Sequence, residues 1–177
     1  MKEYYISGLN EREKYVAFIK YVLPISDAFS VVYFRYKEEE KYSETVSKVK
    51  RNLETFKIYE KLTNEWPSTI TLNEFGHLYL YTLYRCTDET ESILLSVDNM
   101  WEWDYDKYPM DLCFFKNGYS FFYSSAHEND AFICTDSEKA VSDLRKLGLK
   151  LEFLREREQS DLFYDEKSLS SIETKGK

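Results

Sequence analysis

The sequence predicts an α+β domain: a mainly antiparallel sheet of five to seven strands with helices packed on it. Three observations lead there. Strand-like segments at 68–84 and 111–134 come in hairpin-like runs rather than in alternation with helices, which disfavours a doubly wound parallel sheet. Asn117-Gly118 lies between two apolar-rich runs, and this dipeptide suits a type I′ turn, which needs positive φ at both positions. Apolar residues make up 43% of the chain, enough for a real core, while only five Gly and three Pro leave little material for long loops.

Taken in order, Asn10 followed by Glu13 resembles a capping box, and Tyr15, Val16, Phe18, Ile19 and Val22 then recur at helical spacing until Pro24. Residues 29–36 are β-branched and aromatic and predict a strand. From 38 to 65, Val46, Val49, Leu53, Phe56 and Tyr59 recur at steps of three and four among Lys and Glu. This predicts one long amphipathic helix, ended at Trp66-Pro67 because the residue before proline is pushed out of the α region. Strands near 68–73 and 77–84 follow, with Asn73–Gly76 as their turn. A helix capped by Asp88 then runs to about Trp103 with Ile93, Leu94, Val97 and Trp101 inward.

In the 111–125 hairpin, a two-residue loop pairs Lys116 with Tyr119, Phe115 with Ser120, Phe114 with Phe121 and Asp111 with Ser124. Residues 131–135 form another strand. Thr135 to Glu138 reads as a capping box opening a helix with Val141, Leu144 and Leu147 inward, Gly148 ends it, and 149–154 is a last strand. No repeat or linker interrupts the pattern, so residues 1–155 are expected as a single domain and 156–177 as a polar, flexible tail.

Charge and composition exclude several function classes. With 32 acidic and 24 basic residues the net charge is −8, which argues against a general nucleic-acid binder and against attraction to an anionic membrane surface. It permits a basic protein partner. Three cysteines with no paired spacing argue against a disulfide framework, and the first residues carry no secretory pattern, so a cytoplasmic location is expected. Gly-rich phosphate loops, GxSxG, HExxH and EF-hand patterns are missing, and no metal, nucleotide or covalent cofactor is expected.

Two constellations stand out. Asp111, Ser124 and His127 form the one candidate catalytic group: in the predicted register Asp111 lies opposite Ser124, and a carboxylate, a hydroxyl and an imidazole in proximity are the material of a small hydrolase. Against it stand the polar habit of hairpin ends and the lack of any visible oxyanion site. His127 and Glu128 cannot readily share a metal if they lie on a strand, where neighbours point to opposite faces. The second constellation runs from Asp88 to Asp111, where eight acidic residues meet a single base, Lys107. Within it Glu102, Trp103, Asp104, Tyr105 and Asp106 place aromatic rings beside carboxylates, the pattern of an interface that steers and then anchors a basic partner. The competing expectation is that the rings fold back onto the core.

The stretch EWPST at 65–69, the acidic helix ending in Trp101 and YPMDLCFFKNGYSFFYSSAHENDAFI at 108–133 together resemble small uncharacterised proteins of low-GC bacteria that are found near polymorphic toxins. The resemblance covers about residues 65–153 and assigns no catalytic residues. It implies a non-catalytic cytoplasmic immunity protein that neutralises a cognate toxin, and this is the leading expectation, with the hydrolase as its alternative.

Overall fold

A computed structural model describes residues 1–34, 42–67, 69–71 and 79–159. Its elements are β1 (Lys2–Ser7), α1 (Arg12–Val22), β2 (Ala28–Tyr33), α2 (Glu44–Leu53), β3 (Lys57–Thr63), β4 (Glu65–Trp66), β5 (Thr69–Ile70), β6 (Tyr79–Arg85), α3 (Asp88–Leu94), β7 (Met110–Lys116), β8 (Tyr119–Ser125), β9 (Asp130–Cys134), α4 (Glu138–Lys146) and β10 (Lys150–Glu156). Eight strands make one sheet in the order β10-β1-β9-β8-β7-β2-β6-β3, and β4 and β5 form a separate two-stranded ribbon. Every pairing is antiparallel. The α+β class and the antiparallel sheet stand as expected, with one strand more than the upper bound.

The sheet has two unlike faces, because side chains alternate along each strand. All four described helices share one face: Phe18 and Ile19 of α1, Val46 and Leu53 of α2, Leu94 of α3 and Val141 and Leu144 of α4 pack with Ile6, Phe29, Phe114 and Phe122. On the opposite face a smaller cluster gathers Val32, Tyr81, Leu83, Cys113, Phe115 and Tyr123, with Trp66 from the ribbon laid against it. Each fully buried side chain of this size contributes about 1.5–3 kcal/mol, so the helical face carries most of the stability. The sheet edges are blunted. β10 and β3 are largely exposed and studded with charge, and Arg145 Nη2 reaches around from α4 to donate to the Leu151 carbonyl at 3.3 Å.

Several elements differ from expectation for identifiable reasons. The long helix stops at Leu53. A short 3₁₀ turn (Glu54–Phe56) follows, and 57–63 becomes the edge strand β3 paired to β6. Ile58, Tyr59 and Thr63 favour a strand, and the free edge of β6 supplies hydrogen bonds that override the helical spacing. The helix from Asp88 also ends early, at Leu94, with Thr87 rather than Asp88 as its cap. The chain then turns, and Asn99 caps a 3₁₀ segment at Met100–Glu102 by accepting from Trp101 N at 3.0 Å. Asn10 does not cap α1, whose N-cap is Glu11, and Ser137 rather than Thr135 caps α4. Of the expected strand pair at 68–73 and 77–84, the described parts pair elsewhere: β5 pairs with β4, and β6 lies between β2 and β3. Its turn at Asn73–Gly76 lies outside the described residues, as do 35–41 and 160–177. β10 itself extends to Glu156, beyond the expected domain limit at 155.

The Asn117-Gly118 turn forms with φ +53° and +82°, as a type I′ hairpin requires. Lys116 pairs with Tyr119 and Phe115 with Ser120, but one extra residue, Phe121, then bulges out of β8. Phe114 therefore faces Phe122, and Cys113 faces Tyr123. A one-residue slip turns every later side chain to the other face of the sheet.

Candidate functional site

That bulge separates the expected catalytic group. Ser124 is completely buried, shares the helix-covered face with Phe122, and donates to the Leu112 carbonyl at 3.0 Å. Asp111 lies on the opposite face, beside Trp66. Asp111, Ser124 and His127 do not converge. Ser125 takes the place the sequence suggested for Ser124, with its Oγ 3.4 Å from His127 Nδ1. Among the described residues no hydrogen bond joins Asp111 to that imidazole: its Oδ2 accepts from Trp66 Nε1 at 2.8 Å, and its Oδ1 accepts from Ala126 N at 2.9 Å. The described geometry thus lacks the carboxylate–imidazole link that a serine hydrolase needs.

Trp103 differs from an exposed anchor as well. Its ring is fully buried, its Nε1–H donates to the Tyr15 hydroxyl at 2.8 Å, and Tyr15 passes the chain on to the Leu94 carbonyl at 2.6 Å. An indole buries too much apolar area to be left in water when a core lies beneath it. Tyr105 is the ring that stays out, half exposed, with Asp106 exposed and Asp104 and Glu102 partly so. Trp103 fixes this acidic loop to the sheet, since its carbonyl accepts from Asp111 N at 3.1 Å.

What the loop and the sheet create together is a cleft of about 450 Å³ on the helix-free face. Along one wall run four rings in contact: Tyr105 to Phe34 at 4.6 Å between centroids, Phe34 to Tyr79 at 5.0 Å, and Tyr79 to Trp66 at 5.1 Å. The rest of its lining includes the carboxylates of Asp104, Asp111 and Glu128, with His127 beside Glu128 at 3.9 Å. Among the described residues that line it there is no Lys or Arg. Asp111 sits in the left-handed region at φ +56°, which Asp tolerates better than most residues, and it is 1% exposed. Burial pushes its carboxyl above the ordinary range, and the Ala126 and Trp66 N–H groups only partly restore it.

The sequence placed Asp104, Tyr105 and Asp111 near function but did not join them into one cleft. Phe34, Trp66 and Tyr79 come from strand ends and the ribbon, and only long-range pairing could reveal their neighbourhood. A second groove of about 410 Å³, lined among others by Tyr21, Ile25, Phe121 and Ile133, is mostly apolar and has no comparable group of charges. No three His, Cys, Asp or Glu side chains among the described residues come together as a metal site, and no described helix is long and apolar enough to cross a membrane. No family model matches the chain, and neither a curated protein nor a solved structure is similar to it.

Proposed function

We propose that the protein is a non-catalytic binding protein whose acidic, aromatic-walled cleft receives a basic segment of a partner protein. In the reading suggested by the resemblance to proteins found near toxin genes, that partner is a cognate toxin which binding neutralises. The observation that carries the proposal is the cleft itself: four rings in a row, three carboxylates, and no lysine or arginine among the described lining residues. The carboxylates attract a basic surface over roughly 10 Å at 0.1 M salt, and the rings then anchor it on desolvation. The site keeps Asp104 and Tyr105 of the segment singled out from sequence and drops Trp103 from direct contact, because that ring is buried.

The test is quantitative capture from the native cell with wild-type protein beside Tyr105→Ala and Asp104→Asn. A basic protein held by the wild type, and lost or strongly reduced with both variants at unchanged melting temperature, supports the proposal. Equal capture by all three proteins overturns it. The hydrolase alternative, which the sequence placed on Asp111, Ser124 and His127, makes a separate demand: esterase or peptidase activity that His127→Ala abolishes.

A further inference from the structure

The second groove, of about 410 Å³, lies between α1, α4, the start of β8 and the end of β9. Its apolar lining is Tyr21, Ile25 in the turn after α1, Phe121, Ile133 and Ala140. Ile25 is 38% exposed, and Tyr21, Phe121 and Ala140 are half-buried. Phe121 is the extra residue of the β8 bulge, and with Tyr21 it packs on the rim of the helical-face core. The chain is led to this groove by its own backbone. After β10, Arg157 exchanges two hydrogen bonds with Met1, at 2.8 and 2.9 Å, and both Met1 and Gln159 line the groove. Gln159 is the last described residue before 160–177. In that stretch Leu162, Phe163 and Tyr164 are consecutive, whereas Leu169 and Ile172 stand singly among polar residues. An extended chain advances at most about 3.6 Å per residue, which puts Leu162 within about 11 Å of Gln159 and Tyr164 within about 18 Å.

We propose that Leu162, Phe163 and Tyr164 dock in this groove of their own molecule and cover Ile25 and Phe121. Their side chains and the groove's lining leave water together, which is the driving force. Attachment through Gln159 holds the segment at an effective concentration of about millimolar, so a contact too weak to retain a free peptide still forms within one chain. The proposal does not depend on the acidic cleft. It assigns this apolar surface to the chain itself and leaves the cleft as the surface for a partner.

The test uses the full-length chain with labelled isoleucine methyl groups, followed by NMR. The expected result is a set of nuclear Overhauser contacts from the Phe163 or Tyr164 ring protons to the Ile25 methyls, unchanged on dilution. The triple variant Leu162→Ser, Phe163→Ser, Tyr164→Ser should lose them and shift the Ile25 resonances, while the control pair Leu169→Ser, Ile172→Ser should leave both as in the wild type. Chymotrypsin, which cuts after Phe and Tyr, reads the same contact from the other side. Ile25→Asp, a change at an exposed position, should speed cleavage after Phe163 and Tyr164 by about tenfold at an unchanged denaturation midpoint, because cleavage follows the population of the open form. Absence of the ring-to-methyl contacts overturns the proposal, and so does equal cleavage of wild type and Ile25→Asp. Contacts that fade on dilution overturn it as well, by giving the groove to the segment of a second copy.

Discussion

Glu3 and Asp111 are each 1% exposed and both belong to the face of the sheet that carries no described helix, yet their surroundings treat them in opposite ways. Glu3 accepts from Arg155 Nε at 2.5 Å, from Arg157 Nη1 at 2.8 Å and from the Tyr123 hydroxyl. Burial alone would raise its carboxyl, but the Tyr123 and arginine hydrogen bonds outweigh burial and hold it below the ordinary value. Asp111 has two N–H partners of neutral groups and, among the described residues, no arginine or lysine bonded to it, and there burial wins. The difference separates a carboxylate paired to arginines from one held by neutral donors alone. At Glu3 the charge is neutralised within the chain, where Arg157 also exchanges backbone hydrogen bonds with Met1 and ties the ends of β1 and β10 together. At Asp111 the carboxyl is met by two neutral N–H donors, with His127 the nearby titratable group that favours its charged form.

The comparison can be broken in several ways. The largest effect is expected from Trp103→Ala, which empties the core beneath the acidic loop and should cost about 4 kcal/mol in chemical denaturation. A loss below about 1 kcal/mol would mean that the loop does not rest on this ring. Glu3→Ala strips the clamp of its carboxylate and should cost about 3 kcal/mol, somewhat less than a fully enclosed pair because Arg155 can turn to water. Asp111→Ala leaves the Trp66 and Ala126 N–H groups unpaired and should cost about 2 kcal/mol. Tyr105→Ala, at a half-exposed ring, should change stability by only about 0.5 kcal/mol while weakening partner binding by about 2 kcal/mol.

Acid titration sharpens the same contrast. Glu3 has a depressed folded pKa, so its stabilisation is present above the unfolded value, about 4.3, and is lost as pH falls through the lower folded value. Asp111 has a raised folded pKa. Its contribution is fully present below the unfolded value of about 3.9 and is lost as pH rises through the folded one. Glu3→Gln should therefore flatten the acid decline of stability measured by urea titration between neutral pH and pH 3, and Asp111→Asn should steepen it. The same direction of change in both variants would show that the two carboxylates are not held differently.

Much of the fold was legible because it rests on local signals: the β-branched run at β2, the Asn117-Gly118 turn, Gly148 closing α4 at φ +81°, and the helical spacing of α1, α2 and α4. What escaped depends on contacts made at a distance. β1 alternates Tyr4 and Ile6 with Glu3, Tyr5 and Ser7, a period-two signal that was open to reading, but its neighbours β9 and β10 come from the far end of the chain. β3 kept a helical spacing through Phe56 and Tyr59 and became a strand only because β6 offered an edge. The expected register failed by one residue: no sequence feature announces the bulge at Phe121, yet that slip exchanges Ser124 for Ser125 in the cleft. In the acidic loop, charge and ring content alone could not tell buried Trp103 from half-exposed Tyr105, two residues away.

The most direct test of the central claim, that the cleft at Asp111 is an open acidic site for a basic partner, is one calorimetric titration. The captured partner is titrated into wild-type protein and into an Asp104→Asn, Glu128→Gln double variant at 0.1 M salt. Both substitutions are at accessible positions and should leave the denaturation midpoint unchanged. The account predicts affinity about tenfold or more weaker in the double variant, with a shallower salt dependence, because two of the attracting charges are gone. Equal affinity and equal salt dependence in the two proteins would contradict it.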